Sequence, residues 1–151
     1  MLSKVMKKNY IQLDVEVTDF KEAIISSVEP FLEADVVTKE YVEKIVEIYE
    51  ETGPYIVIIK NVALPHAPSD SGAKEVALGF TRLKNPVVSG HKTNDPVKYL
   101  FPLSAKDSQS HVELLSELAE LLSDESFLEF LENATSEEDI IDYLEKFEGA
   151  K

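Results

Sequence analysis

The chain has 151 residues and no cysteine, and its 29 acidic against 15 basic side chains give a formal net charge of −14. That balance argues against nucleic acid and anionic membranes as partners, because both need a basic surface, and it suits a basic patch on another protein. Without cysteine there is neither a disulfide framework nor thiolate chemistry, and an apolar content of 44% over this length supports one domain, residues 1–151, with a real core.

The apolar runs are too short to span a bilayer, and the start, MLSKVMKKNY, lacks the apolar stretch of a signal peptide. The expected location is therefore cytoplasmic, with no direct membrane insertion.

In chain order, YIQLDVEV at 10–17 alternates Ile11, Leu13, Val15 and Val17 with polar residues, which predicts a half-buried strand. Phe20, Ala23, Ile24, Ser27, Val28 and Phe31 recur at helical spacing, with Pro30 marking the end of the pattern. A second helix is predicted from Thr38 as cap, with Val42, Ile45, Val46 and Tyr49 inward, ended by Gly53 and Pro54. Tyr55 to Ile59, YIVII, reads as a central strand covered on both faces. Shorter strands are expected at Val62 to Leu64, ending at Pro65, and over 74–83 and 96–104.

From Ser110 onward the periodicity is helical. Ser110 to Glu113 and Thr135 to Glu138 have the spacing of capping boxes. Leu114, Leu115, Leu118, Leu121 and Leu122 form one stripe, Phe127, Leu128 and Leu131 a short middle helix, and Ile140, Ile141, Leu144 and Phe147 a last one. There are no repeats and no linker. Helices before and after a block of strands predict an α/β fold with helices packed on a central sheet.

The three histidines carry the chemistry. His66 follows Leu64-Pro65, where proline fixes the backbone and pushes its predecessor extended, so the imidazole projects just beyond a strand end. In α/β proteins ligands gather there. The small residues Ala67, Ser69, Ser71 and Gly72 would let an anion approach. The same position also fits a turn residue or a polar surface histidine. His111 shares the stripe of Leu115 and Leu118 at a helix start, which suits an anion site but, taken alone, suits a satisfied core histidine or a simple cap neighbour better. His91, in SGHKTND, is expected to be solvent-exposed. No short-range ligand pair suggests zinc, no Gly-x-Ser-x-Gly elbow suggests a serine hydrolase, and no glycine-rich phosphate loop is present. No metal or cofactor is expected.

GPYIVIIKNVALPHAPSDSGAK, followed by NDPVKYLFPLSAKDSQSHVELLSELAELL, resembles the IIA component of the bacterial phosphoenolpyruvate-dependent sugar phosphotransferase system. Within the fructose/mannitol-type superfamily the similarity is greatest to the ascorbate and galactitol branch, and it covers nearly the whole chain. The resemblance implies a single-domain α/β sandwich around a mixed sheet with helices on both faces. It implies a phosphotransferase role in sugar transport through a phosphohistidine. His66 would be the phosphorylated nucleophile, and His111 the second histidine that stabilises the group. The phosphoryl group would come from HPr and pass to a IIB component, usually onto a cysteine, and indirectly to the membrane IIC component. A phosphorylatable regulatory module signalling sugar status is the alternative of a different class, and an inert interaction domain a third. Ascorbate-branch relatives commonly carry an arginine soon after Pro-His-Ala. Here that place holds Pro68, and Arg82 is the only arginine.

Overall fold

The computed structural model describes residues 2–149. It opens with a helical turn, α1 (Leu2–Val5), followed by β1 (Ile11–Val15), α2 (Phe20–Glu33), α3 (Lys39–Thr52), β2 (Val57–Ile59) and β3 (Val62–Ala63). Next come β4 (Ala77–Leu78), β5 (Phe80–Val87), β6 (Val97–Leu100) and β7 (Leu103–Ser104), and then α4 (Ser108–Leu122), α5 (Glu125–Asn133) and α6 (Glu137–Gly149).

Five strands form a mixed sheet in the order β1-β5-β6-β3-β2. The β1–β5 and β3–β6 pairs are parallel, and β5–β6 and β2–β3 antiparallel. A small second sheet pairs β4 with β7. Alternation along the strands sends neighbouring residues to opposite faces. Val62, Tyr99 and Phe80 pack with α4, α5 and α6, whereas Ala63, Leu100 and Leu83 pack with α2 and α3. The expected α/β sandwich, with a mixed sheet and helices on both faces, is what the chain forms.

Several local expectations are corrected. YIVII is not a central strand: β2 is short and lies at the sheet edge, leaving Tyr55 45% and Ile58 42% exposed. A continuous apolar run cannot distinguish burial on both faces from an edge whose residues cover a neighbouring site. The segments 74–83 and 96–104 each break in two. At Gly79 a side chain would meet Pro102 and the carbonyl of Tyr10 at 3.0 Å, so only glycine lets the strand cross there.

Pro30 does not end α2 but lies inside it. Proline cannot donate to the carbonyl four residues back. That carbonyl, on Ser26, accepts instead from Gln12 Nε2 at 2.8 Å. In β1, Asp14 has φ 56° and the register slips by one residue against β5. The bulge switches faces, so Ile11 and Leu13 join the α4–α6 side while Val15 and Val17 join the α2–α3 side.

The helix starts also move. Thr38 holds the cap position of α3 without a side-chain cap bond. α4 begins at Ser108 because the Asp107 carboxylate accepts from the Ser110 N–H at 2.8 Å and its hydroxyl at 2.7 Å. Before α6 the box is one residue later than expected. Asp139 accepts from the N–H of Thr135, and its own N–H reaches Ser136 Oγ.

Candidate functional site

His66 stands just past β3, on a stretch that continues the sheet. The Leu64 N–H donates to the Ile56 carbonyl at 2.9 Å, and the Leu103 N–H to the Pro65 carbonyl at 3.0 Å. Behind it, the buried Tyr41 hydroxyl donates to the Leu103 carbonyl at 2.8 Å and accepts from the Ala67 N–H at 3.2 Å. Burial pushes the Tyr41 phenol up to about 12, so it remains a neutral hydrogen-bonding post. Gly72, at φ 128°, brings the following turn against α3, where a side chain would strike Thr38 and Tyr41. The loop after His66 is thus held by α3 and β7 together.

The His66 side chain is half-buried, with Nδ1 2.6 Å from the carbonyl oxygen of Leu64. A carbonyl only accepts, so Nδ1 carries the hydrogen and Nε2 keeps its lone pair. Burial pushes the His66 imidazole below its ordinary range; the Leu64 bond opposes this, and the nearby His111 adds to it. His111, in the first turn of α4 and also half-buried, has its ring centroid 5.1 Å from that of His66, with planes tilted by 56°. Two histidines far apart in sequence therefore share one site.

The two rings line a cleft of about 340 Å³ with Ile48, Tyr55, Ala67 and Pro68. No cationic side chain is among these residues. Arg82 is committed elsewhere: its guanidinium is buried, bonded to Asp14 and to the carbonyls of Leu131 and Ala134. His91 does not join the pair. It is half-buried rather than exposed, and its Nδ1 accepts from the N–H groups of Thr93 and Asn94 at 3.2 and 3.1 Å, closing a turn. Among the described residues no group of three potential metal-ligating side chains converges.

Sequence reasoning missed Tyr41 and Ile48, which follow the inner stripe of α3 through Ile45 at four- and three-residue steps. It also placed Tyr55 in a strand core. Instead the Tyr55 and His66 rings meet in a T-shaped arrangement, centroids 6.2 Å apart with planes at 64°, and the Tyr55 hydroxyl donates to the His66 carbonyl at 3.2 Å. The Gly53-Pro54 stop before YIVII was the available signal that this tyrosine sits on a turn.

The lowered His66 value has a pH consequence. Because the folded imidazole gives up its proton more readily than the unfolded one, the unfolded chain binds a proton first as pH falls. This residue should therefore cost stability as pH drops below about 6.5, with the loss levelling off below the folded value. A nuclear magnetic resonance titration should place the His66 midpoint below that of an unperturbed histidine, and His66→Gln should flatten that part of the stability–pH curve. A midpoint above the unperturbed value would show that burial does not govern the group.

Comparisons with known proteins show the family. The family model described as "Phosphoenolpyruvate-dependent sugar phosphotransferase system, EIIA 2" matches residues 4–147. The ascorbate-specific PTS system EIIA component of Salmonella typhimurium is 30% identical over 145 residues, covering 95% of this chain and 94% of its own. Its Escherichia coli counterpart is 30% identical over 141 residues, covering 93% and 92%. The solution structure of the mannitol-specific cryptic phosphotransferase enzyme IIA CmtB from Escherichia coli aligns with TM-score 0.84 and 32% identity, covering 93% of this chain and 95% of that one. The Escherichia coli mannitol IIA enzyme in complex with phosphorylated IIB shares the fold, with TM-score 0.80 and 21% identity over 94% and 99%. Among the described residues no helix is long and apolar enough to cross a membrane. The chain belongs to the EIIA 2 family of the phosphoenolpyruvate-dependent sugar phosphotransferase system, and is a IIA component of that system.

Proposed function

We propose that the whole chain, residues 1–151, works as one IIA domain that accepts a phosphoryl group from phospho-HPr on His66 and passes it to a IIB component. The observation that carries this reading is the 2.6 Å contact between His66 Nδ1 and the Leu64 carbonyl. It makes Nδ1 the donor and leaves Nε2 with the free lone pair of a neutral nucleophile, on a ring that lines the cleft.

Nε2 attacks the phosphorus of the donor phosphohistidine. A new N–P bond forms as the N–P bond of HPr breaks, and the HPr imidazole leaves with the bonding pair. In the second step the IIB acceptor, a cysteine thiolate by the resemblance, attacks the phosphorus and His66 Nε2 departs. Burial supports both halves by keeping the imidazole neutral, while His111, its ring 5.1 Å from that of His66, would stabilise the charge that develops. The IIB partner is supported by the shared fold of the mannitol IIA enzyme solved with phosphorylated IIB. The ascorbate-specific relatives make an ascorbate-type IIB the first acceptor to try. The membrane IIC component then enters only indirectly.

The test is labelling with phosphoenolpyruvate, enzyme I and HPr. One acid-labile, base-stable phosphoryl group per chain is expected, absent in His66→Ala and discharged on adding IIB. Labelling that survives in His66→Ala contradicts the nucleophile. A label that IIB never drains supports the regulatory role over transport.

A further inference from the structure

We propose that Tyr55 is a positioning residue for this transfer, an inference that rests on reading His66 as the phosphoryl acceptor. His66 is gripped at two levels. Its ring is fixed through Nδ1 on the Leu64 carbonyl at 2.6 Å, and its main chain through the Tyr55 hydroxyl on its own carbonyl at 3.2 Å. Between these bonds the Tyr55 ring packs T-shaped against the imidazole at 6.2 Å, and the His111 ring stands at 5.1 Å. The imidazole is therefore seated on three sides, by a carbonyl, a phenol ring and a second imidazole.

The placement of Tyr55 is local and deliberate in the chain. α3 stops at Gly53, whose φ of 91° turns the backbone, and Pro54 begins the turn that ends with the Val57 N–H on the Pro54 carbonyl at 3.1 Å. Tyr55 is thrown outward by that turn and stays 45% exposed. A half-exposed ring does little for the core, yet it forms a wall of the His66 cleft. It also lines the neighbouring cleft with His91 and Lys92, so it is the partition between the two. A ring there limits how far the His66 imidazole can swing when its Nε2 gains a bulky dianion.

Tyr55→Phe keeps the ring and removes the hydroxyl, and Tyr55→Ala removes both. Each is assayed for transfer from phospho-HPr, with kcat and KM separated. For unphosphorylated protein, the His66 tautomer is read from long-range proton–nitrogen spectra. Tyr55→Ala should lower kcat about tenfold, the rate equivalent of one hydrogen bond's hold on the nucleophile, with KM changed less than about twofold. His66 should shift from the single Nδ1–H form toward a tautomer mixture. Tyr55→Phe should fall between wild type and Tyr55→Ala in both readouts. A raised KM with unchanged kcat would make Tyr55 a docking contact and overturn the proposal. So would a change in only one of the two readouts, or in neither. If the wild-type chain is not labelled on His66, the acceptor reading fails, and the tautomer spectra alone decide whether Tyr55 holds the ring.

Discussion

His111→Ala is expected to take phosphate on His66 and to hand it on, each about 10²–10³ times more slowly than the wild type, the usual cost of losing one preorganised donor. The size follows from how little else the cleft offers. Beside His66, its lining includes only two side chains able to donate, His111 and Tyr55, and no lysine or arginine. Tyr55 is already engaged with the His66 carbonyl. The imidazole 5.1 Å from the His66 ring is thus the remaining side chain placed to meet charge on the transferred oxygens. His111→Gln, which restores a neutral donor, should recover part of the rate. Because His111 is half-buried in the first turn of α4, both variants should unfold within a few degrees of wild type. A rate within about threefold of wild type, a difference under 1 kcal/mol, would show that the second histidine serves packing alone.

Arg82→Met is expected to be the most destabilising single change outside the apolar core, by about 3 kcal/mol. Arg82 is 7% exposed and reaches from β5 across to α5. One guanidinium nitrogen donates to the carbonyls of Leu131 at 3.0 Å and Ala134 at 2.6 Å, groups that the end of a helix leaves without partners. Its other nitrogens pair with Asp14 on the β1 bulge. Methionine fills the space but leaves the carbonyls unsatisfied. The Asp14 side chain is 64% exposed, so its lost ion pair adds little. Arg82→Lys should recover less than half, since an ammonium cannot fork between a carboxylate and two carbonyls. Urea unfolding measures this, and a loss below about 0.5 kcal/mol, the range of ordinary surface substitutions, would contradict the assignment. The folded variant should still accept phosphate, because Arg82 does not line the His66 cleft.

The same residues show how far the sequence could be read. The helical periodicities of α2, α3 and α4 were legible because each presents a continuous apolar stripe, and the histidine at the end of β3 was marked by its proline. What stayed hidden depends on partners distant in sequence. Pro30 breaks a helix by local rules, yet Gln12 from another element takes up the orphaned carbonyl. Asp14 alternates correctly as a solvent-facing residue, but its bulge is set by pairing with β5 and its ion pair by Arg82. YIVII carries an apolar run that suits a central strand, and only the strand order reveals it as an edge. At the site, Tyr41 and Tyr55 were missed for a related reason. Their roles lie in hydroxyl bonds to main-chain carbonyls, which no side-chain pattern records.

On the proposed mechanism His66 presents Nε2, and not Nδ1, to phosphorus. The most direct measurement is the phosphorus–nitrogen correlation spectrum of uniformly nitrogen-15-labelled protein after phosphorylation by phosphoenolpyruvate, enzyme I and HPr. The expected result is one phosphoryl group, on Nε2 of His66, with Nδ1 still protonated and hydrogen-bonded as its 2.6 Å contact with Leu64 requires. Phosphate on Nδ1 of His66, or on His111 or His91, would contradict the account.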